Sequence, residues 1–210
     1  MHYAKKPKQR QQAPKVCTEL KVTTMYMHPD YPNLFSPLCV NKLVLKNRIF
    51  YAPVEAYHDR AISGCAVMMR GTSGTLNDPK CRLSPGPWLF AGSELPRVKK
   101  ELMLLKRAGA LTSLEICHAG MQASIPAGGF AVGPSDGVRE DGTIIKSMDG
   151  EMIGHAIEKF AETAVSAKKI GYDMIMMHFA HGWLPSQFFS PAINKRGDEF
   201  GGSYENRFRF

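Results

Sequence analysis

No apolar run in this sequence approaches the roughly 20 residues that a helix needs to cross a bilayer. The basic, polar opening MHYAKKPKQRQQAPK also lacks the apolar stretch of a secretory signal. No membrane partner is therefore expected. Cysteine is scarce: the five residues at 17, 39, 65, 81 and 117 are an odd number with no CxxC spacing. That pattern argues against a disulfide or zinc framework and for reduced thiols in a cytoplasmic protein. Acids are few, 19 against 27 Lys and Arg, which leaves a net charge of +8. Half of that excess sits in residues 1–30, where Lys5, Lys6, Lys8, Arg10, Lys15 and Lys21 face only Glu19 and Asp30. A disordered basic extension is the plain reading of that tail, and nucleic-acid binding through it has no recognisable reading element behind it. No internal repeat is evident.

What is present reads as an α/β protein. The 210 residues suit one domain with a full core. Residues 1–32, rich in Lys, Gln and Pro, read as a flexible basic leader, with ordered sequence from about Asn33. Leu38 to Val40 and Leu43 to Leu45 flank Asn41-Lys42, the pattern of a hairpin with a two-residue turn. Arg48 to Pro53 (RIFYAP) and Cys65 to Met69 (CAVMM) are β-prone, and Arg70-Gly71 closes the second. A Pro/Gly-rich loop follows from Thr72 to Gly92. The spacing predicts a helix from Ser93 to Ala108, with Pro96 near its start, Leu95, Val98, Leu102 and Leu105 on one face, and Gly109 as its stop.

Ala110 to Cys117 (ALTSLEIC) reads as a third strand, followed by a long Gly/Pro loop from His118 to Met148. Loops of that length inside a domain usually carry function. Asp149 is placed to cap a helix to about Ile170, with Ile153, Ile157, Phe160 and Ala164 as its apolar stripe. Lys168 and Lys169 suit its negative end, and Gly171 ends it. Asp173 to His178 then reads as a fourth, buried strand. Continuously apolar strands alternating with helices imply a parallel α/β architecture.

The chemistry concentrates in residues 173–208, DMIMMHFAHGWLPSQFFSPAINKRGDEFGGSYENRF. His178 and His181 stand at the carboxyl end of the fourth strand, where α/β proteins place their reactive groups. Taken alone, HxxH fits a metal pair or two packed histidines equally well. The whole stretch, however, resembles the signature of the Old Yellow Enzyme family, the FMN-dependent NADH:flavin oxidoreductases. There HxxHG(Y/W)L…QF(L/F)SP…N.R.D.(Y/F)GGS.ENR.RF follows the fourth barrel strand. LFSPLCVNKLVLKNRIFYAP and LEICHAGMQ resemble the same family, so the likeness runs from about Leu34 to Phe210. GPSDGVREDGTIIKSMDGEMI is similar to the branch of bile-acid-type and anaerobic enoate reductases.

The resemblance implies a TIM (β/α)8 barrel, with about the first four β/α units in residues 33–210. It implies FMN as cofactor, NADH or NADPH as reductant, and a small-molecule enone or enoate as substrate. Pro53, Val54 and Glu55 would pack against the flavin ring. Gly71 would let its pyrimidine edge approach the backbone, and Glu115 would hydrogen-bond the ring. Glu55 departs from the family's neutral Thr, Cys or Met: it either disfavours the anionic reduced flavin by repulsion or faces solvent after a local rearrangement. Glu115 replaces the commoner Gln and, buried, needs an N–H donor. His178 and His181 would hold the substrate carbonyl, since hydride addition to the β-carbon pushes charge onto that oxygen. Trp183 stands where many relatives carry a proton-donating Tyr, and an indole N–H is no usable acid near neutral pH. His118 reads as structural, and Asn194, Arg196, Asp198 and Gly201-Gly202 as loop architecture.

Departures support other readings. Only 17 residues separate Pro53 from Gly71, too few for the family's first helix. The family's FMN-phosphate loops follow strands seven and eight and have no counterpart in this sequence. The chain could thus be a non-catalytic half-barrel that needs a homo-oligomer or a C-terminal half, with open strand edges. A barrel hydrolase with a metal on His178, His181 and His118 or Cys117 is a third reading. Nucleic-acid binding through the leader is a fourth.

Overall fold

The protein is described by a computed structural model over residues 28–53, 64–74 and 92–210, and it divides into two units, 1–49 and 50–210. In the first, α1 (Pro32–Phe35) is a single turn opened by proline. β1 (Leu38–Val40) and β2 (Leu43–Leu45) pair antiparallel as the expected hairpin. Asn41 takes φ 52°, the left-handed conformation that a two-residue hairpin turn requires and Asn tolerates. Cys39 is disulfide-bonded, which corrects the expectation of reduced thiols throughout. Spacing along a chain does not say which cysteines come within bonding distance in space. In the second unit Cys65 and Cys117 are buried and outside any disulfide.

The second unit holds β3 (Phe50–Tyr51), β4 (Val67–Gly74), α2 (Leu95–Arg107) and β5 (Leu111–Cys117). Then come β6 (Phe130–Gly133), β7 (Gly137–Val138), β8 (Ile144–Ser147), α3 (Gly150–Ile170), β9 (Met174–Met177), α4 (Leu184–Phe189) and α5 (Tyr204–Arg207). β3, β4, β5 and β9 form one sheet in that order, every pair parallel. Sequential parallel strands joined through helices make the opening portion of a β/α barrel. The sequence-predicted strands and helices of this sheet all form, with β4 running on past Arg70 through a register shift between Arg70 and Ser73.

Period-two alternation sorts β5 onto two faces. Leu114 and Ile116 join Val98 and Leu102 of α2, Phe160 and Ala167 of α3, and Tyr172 in one buried cluster. Ser113, Glu115 and Cys117 alternate with them on the other face and are buried too. Fully burying an aliphatic or aromatic side chain contributes about 1.5–3 kcal/mol, so this cluster is a main support of the sheet. Arg70 and Glu101 form an ion pair whose side chains are 13% and 5% exposed, which lets a charged residue sit on the inner face of α2.

α3 is capped as expected: Asp149 accepts from the Met152 N–H at 2.8 Å, and Gly171 closes the helix at φ 118°. Its buried stripe is Ile153, Ala156, Phe160, Thr163 and Ala167, whereas Ile157 is 43% exposed. The expected stripe was therefore rotated. Packing keeps Ile153 and Phe160 inward but sets the small Ala156, Thr163 and Ala167 beside them, which lets the helix approach the sheet. The 118–148 segment is not an unstructured loop. It folds into a 3-10 turn at Gly120–Gln122 and a small sheet in the order β6-β8-β7. A second core, Val132, Met148, Ile153, Ala156, Leu184 and Phe188, secures that sheet against α3 and α4. The fourth strand is less buried than expected, with Met176 and Met177 39% and 45% exposed.

Candidate functional site

The register of the two strands that carry the site is fixed at their starts. Asp173 accepts from the Thr112 N–H and hydroxyl, each at 2.9 Å, and its own N–H donates to the Thr112 carbonyl at 2.9 Å. Glu115 therefore lies opposite Met176. The ladder continues past the strand ends: the His178 N–H donates to the Ile116 carbonyl at 3.0 Å and the Leu184 N–H to the His118 carbonyl at 2.9 Å. Two sequence segments more than fifty residues apart thus share one rim, the carboxyl end of a parallel sheet.

On that rim His178 is buried and His181 exposed. His178 Nε2 lies 3.0 Å from His181 Nδ1, and the Ala180 N–H donates to His178 Nδ1 at 3.2 Å. The backbone donor fixes the tautomer. With Nδ1 of His178 accepting, its proton resides on Nε2 and is given to His181 Nδ1, which leaves His181 with its Nε2–H directed away from the pair. Burial, and then the neighbouring His181, push the His178 pKa below its ordinary value, so His178 stays neutral. Trp183 is buried, its ring 4.2 Å from His178 and 6.3 Å from His181 between centroids, and it forms the N-cap position of α4.

Glu115 is 3% exposed, and its carboxylate has no hydrogen-bond partner among the described residues. Burial raises its pKa, opposed by a smaller electrostatic pull from the neighbouring His181. A carboxylate left so is unusual, since a buried acceptor without a donor costs several kcal/mol. His118 is buried, with Nδ1 accepting from the Gly120 N–H at 3.0 Å. Among the described residues no group of three His, Cys, Asp or Glu side chains could hold a metal ion.

The other expected residues are spread along the sheet. Gly71 is half-buried in β4, one strand removed from β9 across β5, at the register shift. Pro53 is half-buried just beyond β3, on the far edge strand. Val54 and Glu55 lie outside the described residues. The loop after α4 is built as its polar residues suggested. Asn194 Nδ2 donates to the Phe188 and Phe200 carbonyls at 2.7 and 2.8 Å. Arg196 reaches the Met148 and Pro134 carbonyls and the Ser147 hydroxyl. Arg196 also hydrogen-bonds Asp198 and holds that carboxyl below its ordinary range. Two side chains that the motif reading passed over, Gln122 and Gln187, join the loop after β5 to the loop after β9. Their signal was present, for both stand inside the motif stretches HAGMQ and LPSQFF.

The chain resembles known proteins in sequence and in fold. The chain is 32% identical over 199 residues to an NADPH dehydrogenase of Bacillus velezensis, with 84% of this chain and 57% of the relative covered. It is 29% identical over 197 residues to that of Bacillus subtilis, with the same 84% and 57% covered. Among solved structures, the Old Yellow Enzyme from Pichia sp. AKU4542 superposes with a TM-score of 0.75 at 26% identity, covering 84% of this chain and 53% of that one. Morphinone reductase in complex with tetrahydroNAD gives 0.72 at 25% identity, covering 85% and 58%. The chain thus spans a little over half the length of the relatives it matches. The family description NADH:flavin oxidoreductase / NADH oxidase matches residues 33–210, the whole of the sheet, both cores and the histidine rim. With sequence and fold in agreement over that span, the chain belongs to the NADH:flavin oxidoreductase / NADH oxidase family.

Proposed function

We propose that this chain provides the substrate-polarising rim, and part of the flavin site, of an FMN-dependent reductase of activated C=C bonds. The observation that carries this reading is the His178–His181 pair beside the desolvated Glu115, all on one rim of a parallel sheet. The residues present fit the cofactor: a buried carboxylate without a donor suits a ring N–H, and a glycine at the β4 register shift suits close approach of a flat ring. Glu115, Gly71 and Pro53 would line it, together with Val54 and Glu55. Bound FMN supplies the transfer of hydride from NADH or NADPH to the alkene.

The protein's own contribution is electrostatic. An α,β-unsaturated carbonyl that accepts hydride at its β-carbon becomes an enolate, and N–H donors placed at its oxygen lower that barrier. His181 offers such a donor at Nε2, oriented by neutral His178 behind it. Trp183 packs on His178 and offers no acid, so the α-carbon proton comes from solvent or from another residue. Cys65 and Cys117, buried and outside any disulfide, fit a cytoplasmic location, and disulfide-bonded Cys39 is the observation that weighs against it.

A visible spectrum of the purified chain, taken after adding FMN and removing the excess, tests the proposal. Retained flavin that bleaches with NADPH or NADH, followed by enone turnover, is the expected result. A colourless protein overturns it for the chain alone. One observation favours a second reading, that the rim works only when a partner piece or a second copy completes the sheet. Among the described residues β9 is a sheet edge, and its Met176 and Met177, with Phe179 just beyond, are 39%, 45% and 49% exposed. Tight flavin binding by a monomer would sink that second reading.

A further inference from the structure

We propose that Gln122 and Gln187 form a reciprocal amide brace that holds His181 in a left-handed conformation and thereby aims its outer N–H. They are positioning residues for the reduction proposed above, and the inference rests on that reading.

The brace runs both ways between two loops. Gln187, on α4, is 1% exposed. Its Oε1 accepts from the Met121 N–H at 3.1 Å, while its Nε2 donates to the Ala119 carbonyl at 3.1 Å and the Gly182 carbonyl at 2.6 Å. Three partners of fixed polarity allow only one amide orientation, since a flip would set an oxygen against two carbonyls. In the other direction Gln122, after β5, donates from Nε2 to the His181 carbonyl at 3.0 Å. Each amide lies over a glycine of the opposite loop. A Cβ on Gly120 would collide with the Gln187 amide, and one on Gly182 would sit 2.8 Å from Gln122 Nε2.

Between these contacts the backbone is strained. His181 has φ 55° and Gly182 φ 71°, so two successive residues turn left-handed. Glycine does this freely. Histidine persists there only when its surroundings impose it. The carbonyl of His181 is held by Gln122 and that of Gly182 by Gln187, so the two amides grip both peptide oxygens of the turn. That turn is what brings Nδ1 of His181 back to Nε2 of His178. A brace that merely glued two loops together would not need to hold these two oxygens. No other side chain of similar size replaces glutamine: methionine lacks both functions, and glutamate lacks the donors that face the carbonyls.

The test is nitrogen-15 NMR of histidine-labelled full chain, which reads the ring tautomers without requiring flavin or turnover. Wild type should show both rings of the pair locked as Nε2–H tautomers. In Gln187→Met and Gln122→Met the His181 ring nitrogens should move to averaged, two-tautomer values, while exposed His155 on α3 stays unchanged. Gln187→Glu should not restore the pattern at neutral pH. Folded variants whose His181 signals match wild type, or restoration by Glu, overturn the proposal. If Gln187→Met does not fold, solvent-exposed Gln122 carries the decision. In the flavin-loaded protein the same variants should lower kcat on the order of tenfold to a hundredfold with the KM for NADPH unchanged, the mark of a misaimed group rather than a lost binding site. Absence of turnover in wild type would sink the reductase reading and leave the tautomer result to judge the brace.

Discussion

Asp173 and Thr112 clasp each other at the start of β9 and β5, with both Thr112 donors 2.9 Å from one carboxylate oxygen. Lys106 approaches the other oxygen at 3.3 Å. This clasp sets the register that, a few residues on, puts Glu115 and His178 on the same rim. Asp173→Ala should cost about 2–3 kcal/mol, because it removes two hydrogen bonds to a charged acceptor. Urea denaturation followed by circular dichroism measures this. A change below half a kcal/mol would mean that the apolar ladder sets the register unaided.

The pH dependence of stability should carry the mark of His178. Its folded pKa lies below the ordinary 6.5, so the unfolded chain takes up the proton first as pH falls. The stability it contributes is complete above about 6.5 and is lost as pH drops through the folded value. His178→Gln should flatten the fall of the urea midpoint below about pH 6.5. An equally steep slope in the variant would assign the effect to other groups.

Glu115 works in the opposite sense. Its folded pKa is raised above 4.5, so its contribution is favourable below 4.5 and is lost as pH rises through the folded value. At neutral pH the flavin-free protein holds a charge it would rather lose. Glu115→Gln should therefore stabilise flavin-free protein by about 1–3 kcal/mol at pH 7.5, and the gain should vanish near pH 4. Thermal unfolding at the two pH values decides it, and destabilisation at pH 7.5 would show that the carboxylate is well paired.

Arg196→Lys should not pass as conservative. The guanidinium side chain is 10% exposed and reaches the Pro134 carbonyl at 3.1 Å, the Ser147 hydroxyl at 3.1 Å and the Met148 carbonyl at 2.6 Å, besides pairing with Asp198. A lysine supplies a point charge without the planar fork. A loss of about 1–3 kcal/mol is expected, from the buried acceptors left without a donor. Limited proteolysis should then cut between residues 190 and 202, and an intact loop would argue that Asn194 alone holds it.

The sequence determined the elements and the ancestry of this protein, because both are written in local patterns. Asp149 before an apolar period of 3.6 and Gly171 after it suffice to place α3, and Asn41-Lys42 between two apolar triplets suffices for the hairpin. The ordered motif from His178 to Phe208 was legible for the same reason, since it needs no partner to be read. Tertiary structure decided everything that depends on what lies opposite. It turned Ile157 of α3 outward and Ala156 and Thr163 inward, folded residues 130–147 into a small sheet, and brought Cys39 within reach of a disulfide partner. It also decided that the carboxylate of Glu115 is desolvated, that His178 gives its proton to His181, and that two glutamines more than sixty residues apart grip one turn. Burial, tautomer and strain are properties of surroundings, and those surroundings are supplied by residues distant in the chain.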